Sequence, residues 1–173
     1  LSLTVVDSQN SGGGSTIEVG ELAVYSSSAD QRASFTLEKG VTIDTNAKIW
    51  FGRPTQSSSS DTTPTDIVVN GNIIQQAHDG RYYGILQIQT EKDSTVLVNG
   101  SVAFGWTLSV RGAVFTVSST GEVKASDPAS TSSTILVDAR SGVGGKFIVD
   151  GSKAVSAVVL DVDELGSFEM KNE

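Results

Sequence analysis

The chain has 173 residues, no cysteine, and a formal net charge of −8 from 12 basic and 20 acidic side chains. Its Lys and Arg residues are scattered singly, so there is no basic stripe for nucleic acid and no polybasic attraction to anionic membranes. Disulfide stapling is excluded, and no apolar run approaches the length of a bilayer span, so no membrane insertion is expected.

Hydrophobic residues make up 38% and charged residues 18%, while Ser and Thr together supply about a quarter. That balance favours strands and turns, and no window places apolar residues at helical spacing. An all-β chain is expected, long enough to bury a core as one domain over 1–173.

In chain order, Leu1–Asp7 alternates like a strand and Asn10–Ser15 is a flexible loop. Gly20 is followed two and four positions later by Leu22 and Val24. Gly40 is flanked by Phe35, Leu37, Val41 and Ile43 with a one-residue slip. Gly71, Gly100 and Gly151 are preceded at four and two positions by Ile67 and Val69, Val96 and Val98, and Phe147 and Val149. Ile73 and Val102 follow two positions after the first two, and Gly121 keeps part of the frame in Val117, Val123 and Ala125. A third apolar strand follows most units: Lys48–Phe51, Gly84–Gln89, Thr107–Arg111, Thr134–Asp138 and Ala157–Val162. Between them lie polar insertions at Arg53–Thr65, Ser126–Ser133 and Ala139–Gly145, and Gly166–Met170 opens a further unit. The frame glycines are 20, 31, 29, 21 and 30 residues apart. A constant frame with variable insertions is the mark of a solenoid whose units bury their apolar faces only by stacking.

Asn70-Gly71, Asn99-Gly100 and Asp150-Gly151 also read as two-residue hairpin turns. Side-chain parity decides against that. In a hairpin closed by Asn99-Gly100, Val96 and Val98 would face one way while Val102 and Phe104 faced the other, beside Leu97. If the chain bends at the glycine and enters a neighbouring sheet, all four point inward. The expected fold is a parallel β-helix of about six turns with variable corner loops; the alternative is an antiparallel β-sandwich.

Carried by FTLEKGVTI (35–43), IVVNGNI (67–73), VLVNGSVAF (96–104) and FIVDGSKAV (147–155), the chain resembles the right-handed parallel β-helices of the pectin-lyase-like class and of bacterial surface adhesins. The resemblance spans nearly the whole chain and is one of architecture. It implies an enzyme, an adhesin, a phage tailspike or an inert stalk, and implies no catalytic residue that matches position by position. Neither end carries a capping helix, so the chain is expected to be a segment of a longer repeat protein.

The single histidine, His78, precedes Asp79 in a loop, with no nucleophile elbow to serve it and no cysteine to complete a zinc site. Asp161, Asp163 and Glu164 fit no calcium-loop spacing and are expected to form a solvated acidic edge. Asp44, Asp79, Asp127 and Asp138 lie near corners, but nothing in the sequence pairs them across one sugar. No cofactor is called for. The candidate ligand contacts are Asp79, Arg81, Tyr82, Tyr83 and Trp106, at corners expected to be adjacent in neighbouring turns. Aromatic faces beside Asp and Arg suit sugar rings, the alternative being that Trp106 packs on the Phe104 side of the core. Trp50 is expected to be structural. Thr36, Thr42, Thr107 and Thr116 do not recur at one frame position, which sets an ice-binding ladder aside. Asn99-Gly100-Ser101 matches a glycosylation acceptor that the corner frame already explains.

The function expected is that of a non-enzymatic secreted or cell-surface bacterial adhesin or stalk segment, touching glycans or a host surface protein. A fragment of a polysaccharide lyase or glycoside hydrolase is the alternative, and a phage tailspike segment a further one. The sequence leaves the oligomeric state open.

Overall fold

A computed structural model of the chain describes residues 2–6, 14–26, 31–54, 62–77, 86–127, 133–151, 155–157 and 159–171. Its strands wind into a coil with three parallel sheets as walls. Sheet 1 takes Ser2–Val5, Ala33–Leu37, Thr65–Val69, Thr95–Val98, Val114–Val117, Lys146–Asp150 and Ser167–Lys171. Sheet 2 takes Ser15–Val19, Val41–Thr45, Asn72–Gln75, Ser101–Phe104, Glu122–Ala125 and Val155–Ser156. Sheet 3 takes Leu22–Val24, Ile49–Phe51, Gln87–Thr90, Thr107–Arg111, Thr134–Arg140 and Val159–Val162. The described strands thus make six turns and open a seventh, a parallel β-helix and not a sandwich.

The parity expected of the glycine corners is what builds this coil. Thr95–Val98 and Ser101–Phe104 belong to different sheets, and Val96, Val98, Val102 and Phe104 are all buried. Equivalent positions stack turn on turn: Phe35, Ile67, Val96, Phe115 and Phe147 pair in register along sheet 1. The rings of Phe115 and Phe147 stack at 5.5 Å between centroids, and Phe147 meets Phe168 at 6.0 Å. Each such side chain contributes roughly 1.5–3 kcal/mol by leaving water, so the coil axis is the core.

The corner between sheets 1 and 2 explains the recurring glycine. Stacked corners approach so closely that a methyl group added at Gly100 would run into the carbonyl oxygen of Gly71, with that of Asn70 at 2.6 Å. Beside this contact runs a side-chain ladder: Asn99 Nδ2 donates to Asn70 Oδ1 at 2.9 Å, and Asn70 Nδ2 to Glu38 Oε2 at 3.2 Å. Asn99 is therefore engaged in holding the corner. The corner between sheets 2 and 3 is pinned from inside by Gln75, which donates to the Ala47 carbonyl at 2.7 Å and accepts from the Gly105 amide at 3.1 Å.

Two insertions differ from the loops expected. Within Arg53–Thr65, Arg53–Pro54 pairs antiparallel with Thr62–Thr63, and the next sheet 1 strand already begins at Thr65. In Ala139–Gly145 the strand runs on to Arg140 and folds back onto Val143–Gly144. Both turn residues, Ser141 and Gly142, have positive φ, which gives the tight turn that suits the strand twist. The threonines are divided among sheets, except that Thr36 and Thr116 share an outward row of sheet 1, interrupted by Val68 and Leu97.

Outside sheet 1, Arg32 clamps Asp66 with two hydrogen bonds of 2.9 and 2.7 Å, while Thr95 adds one of 2.7 Å. The Arg32 hydrogen bonds hold the Asp66 carboxyl below its ordinary value, against the opposing pull of burial. A carboxylate so shifted stabilises the fold fully above the ordinary aspartate range, and that contribution is lost as pH falls through the depressed value. Asp66→Asn should therefore flatten the acid side of the stability–pH curve below about pH 4. At neutral pH it should cost under about 1 kcal/mol, because both side chains are 45% exposed. A harsher change is Gly100→Ala, expected to cost about 2–4 kcal/mol. Gly20→Ala, with nothing within 4 Å of the added carbon, should stay within about 0.5 kcal/mol of zero. Urea unfolding midpoints separate the two.

Candidate functional site

Successive strands of sheet 3 leave the sheet at the same corner, and the residue just after the last inward side chain is Gly52, Glu91, Arg111 or Asp138. In-register pairing stacks these four positions into one column. Glu91 is 0% exposed. Gln89 Nε2 donates to its Oε1, Arg111 Nη1 lies 3.9 Å from Oε1, and Arg140 Nε lies 3.5 Å from Oε2. Arg111 Nε also reaches Asp138 Oδ2 at 3.7 Å. The column thus alternates in sign, and a buried carboxylate, costly alone, is braced by two guanidinium groups.

Local backbone makes the seat. Gly52, at φ +82°, presses against Glu91 Cβ, Ser94 Oγ and the Thr63 carbonyl, each about 3.0 Å from where a side chain would begin. Gly112, at φ +62°, gives equal room to Arg140 and Lys92. Arg140 reaches the column because the strand overruns the sheet into its short hairpin.

On the strand next to that of Glu91, and on the same outer face, Lys48 Nζ sits 3.5 Å from the centre of the Trp50 ring. Burial pushes the Lys48 ammonium below its ordinary value, with Glu91 opposing the shift and Arg111 adding to it. Trp50, in register with Gln89, is a half-buried side chain facing outward. Among the described residues no hydrogen bond reaches Glu91 Oε2 or Ser109 Oγ, both buried on this face.

Of the candidate contacts read from the sequence, Asp79, Arg81, Tyr82 and Tyr83 lie outside the described residues, as does His78. Trp106 is 38% exposed at the corner between sheets 2 and 3, while Phe104 is fully buried, so the indole stands outside the core. Its backbone is fixed by hydrogen bonds from Trp106 N to Leu86 O at 2.8 Å and from Thr134 N to Trp106 O at 2.9 Å. Asp161, Asp163 and Glu164 are exposed, and Asp44 accepts a hydrogen bond from Gln76 at 3.2 Å. Of the corner carboxylates named, Asp138 enters the charged column; nothing marks Glu91, which shares Arg111 with it, within its own unit. The signal was available across units, in the charged residues that follow Thr90, Val110 and Val137 at one frame position.

Among the described residues no helix is long and apolar enough to cross a membrane. Replacing the sealed carboxylate leaves the two guanidinium groups facing each other, so Glu91→Gln should cost roughly 2–3 kcal/mol, read as a lower urea midpoint at unchanged slope. Asp138→Asn, at a site 26% exposed, should cost under about 1 kcal/mol. Compared with known proteins, the chain matches no family model, no curated protein and no solved structure.

Proposed function

We propose that the chain is a non-enzymatic binding or stalk segment of a secreted or cell-surface bacterial protein, with glycans or a host surface protein as its partners. The observation that carries this reading is the sealing of Glu91. Hydrolysis by paired carboxylates needs both groups facing one sugar, and here one of the two that share Arg111 is shut away from solvent. The acid pair braces the corner and leaves the outer face to present side chains. Trp50 with Lys48, and Trp106 two strands further on, offer aromatic surface and donors on a rigid wall. Lys48 and Trp106 are separated across the sheet by two strand spacings, roughly 10 Å, a span an oligosaccharide can bridge.

The reading is tested by incubating the purified chain with mucin and plant polysaccharides, scoring retention in affinity electrophoresis and release of reducing ends. Retention without product is expected, and Trp106→Ala or Trp50→Ala should weaken it by roughly five- to thirtyfold, about 1–2 kcal/mol. Release of reducing ends would overturn the reading in favour of a lyase or hydrolase. Neither retention nor release would leave a stalk.

A further inference from the structure

We propose that Asn70 and Asn99 are conformation-gated modification sites. Stacking of the turns keeps both as amides; separation of the turns opens both to cyclisation and hydrolysis, after which the coil cannot re-form in register. The inference concerns the corner between sheets 1 and 2 and is independent of any ligand.

An asparagine side chain cyclises most readily when glycine follows it, because glycine has no Cβ to obstruct its own main-chain nitrogen. Only Asn70-Gly71 and Asn99-Gly100 have that pairing in this chain, and both sit at the stacked corner. In the reaction the glycine nitrogen loses its proton and attacks the asparagine Cγ. A nitrogen–carbon bond forms, the Cγ–Nδ2 bond breaks, and the amide group leaves as ammonia. Water then opens the five-membered ring at either carbonyl, giving aspartate or isoaspartate. The net change is amide plus water to acid plus ammonia, so no further reactant is needed.

The folded corner blocks this at both reacting groups. Leu37 O accepts from Asn70 N at 2.8 Å and from Gly71 N at 3.1 Å, while Val69 O accepts from Asn99 N and Gly100 N, both at 2.9 Å. Each attacking nitrogen is thereby pinned, its proton held on a carbonyl of the turn before. The side chains are held too, Asn99 Nδ2 on Asn70 Oδ1 and Asn70 Nδ2 on Glu38 Oε2.

The same ladder shows why conversion would be one-way. The Glu38 carboxylate only accepts, so Asn70 must donate to it and present Oδ1 to the next turn, where a donor is required. Asn99 supplies that donor and an aspartate cannot. Turning the Asn70 amide over would only move the clash of acceptors to Glu38. Conversion at Asn70 sets two carboxylates against each other. Isoaspartate adds a main-chain carbon at a corner so tight that a Cβ on Gly100 would stand 2.6 Å from Asn70 O. Register is set at this corner, so an extra main-chain atom there disturbs the alternation on which the core relies.

The test ages the unmodified chain in mildly alkaline buffer, folded and in guanidinium chloride, and follows Asn70 and Asn99 by peptide mass spectrometry. Both should convert at least about tenfold more slowly in the folded chain, since reaction there waits on opening of the corner. On return to dilute buffer, the fraction regaining the strand signal in circular dichroism should fall in step with the fraction converted. Asn99→Asp should lower the urea midpoint by more than Asn72→Asp, the same charge change at an exposed position of the adjoining strand. Equal conversion rates in the folded and unfolded chain would overturn the gating. Full refolding of converted chain, or Asn99→Asp no less stable than Asn72→Asp, would overturn the loss of register.

Discussion

At the corner between sheets 1 and 2 the backbone of one turn rests directly on the backbone of the turn before. Ser101 N donates to Gly71 O at 3.0 Å, Glu122 N donates to Gly100 O at 2.8 Å, and no side chain fits between. Everything else depends on this contact, because it sets the register. Since side chains alternate with period two, a slip of one residue at a corner would turn Val102 and Phe104 outward while Val96 and Val98 stayed in, and open the core. Close approach, more than freedom of φ, is why glycine stands there: of the corner glycines, Gly40 and Gly151 adopt positive φ, while Gly71, Gly100 and Gly121 do not. The Asn99–Asn70–Glu38 ladder and the Gln75 staple then tie the same turns by side chains, satisfying polar groups that the stacked corners would otherwise bury unpaired.

Once register is set, the outer faces become columns in which residues far apart in sequence are neighbours. The Gly52–Glu91–Arg111–Asp138 column is one result, and it illustrates how a charged group can be buried in so acidic a chain. Glu91 sits against a glycine on one side and beneath two guanidinium groups on the other, so its charge is matched without reaching solvent. That arrangement stiffens the corner beside Lys48 and Trp50.

What was legible beforehand followed from repetition within each unit. The apolar pairs around Gly71, Gly100 and Gly151 and the parity of Val96 to Phe104 were enough to prefer a coil to a sandwich, and Thr107–Arg111 is found with the bounds read from sequence. What was not legible depends on relations between units. Glu91, Arg111 and Arg140 each look like ordinary surface charges until stacking brings them within 4 Å. The segment Ala139–Gly145 reads as a loop because the strand that returns after Ser141-Gly142 is only Val143–Gly144, too short to show alternation. Alternation between the buried Ile49 and Phe51 makes Trp50 face outward, a direction readable from its strand alone.

The central claim is that the strands of sheet 1 follow one another in parallel and in register. The outward row containing Thr4, Thr36, Val68, Leu97, Thr116 and Glu169 allows a direct measurement, since a cysteine-free chain takes spin labels only where cysteines are introduced. Double labelling of Thr4 with Thr116, and of Thr4 with Glu169, followed by pulsed electron resonance in excess unlabelled chain, reads the two separations. The coil requires roughly 19 and 29 Å, four and six strand spacings, with the difference set by two turns. Separations that fail to grow with the number of intervening turns, as when first and last strands lie side by side, would contradict it.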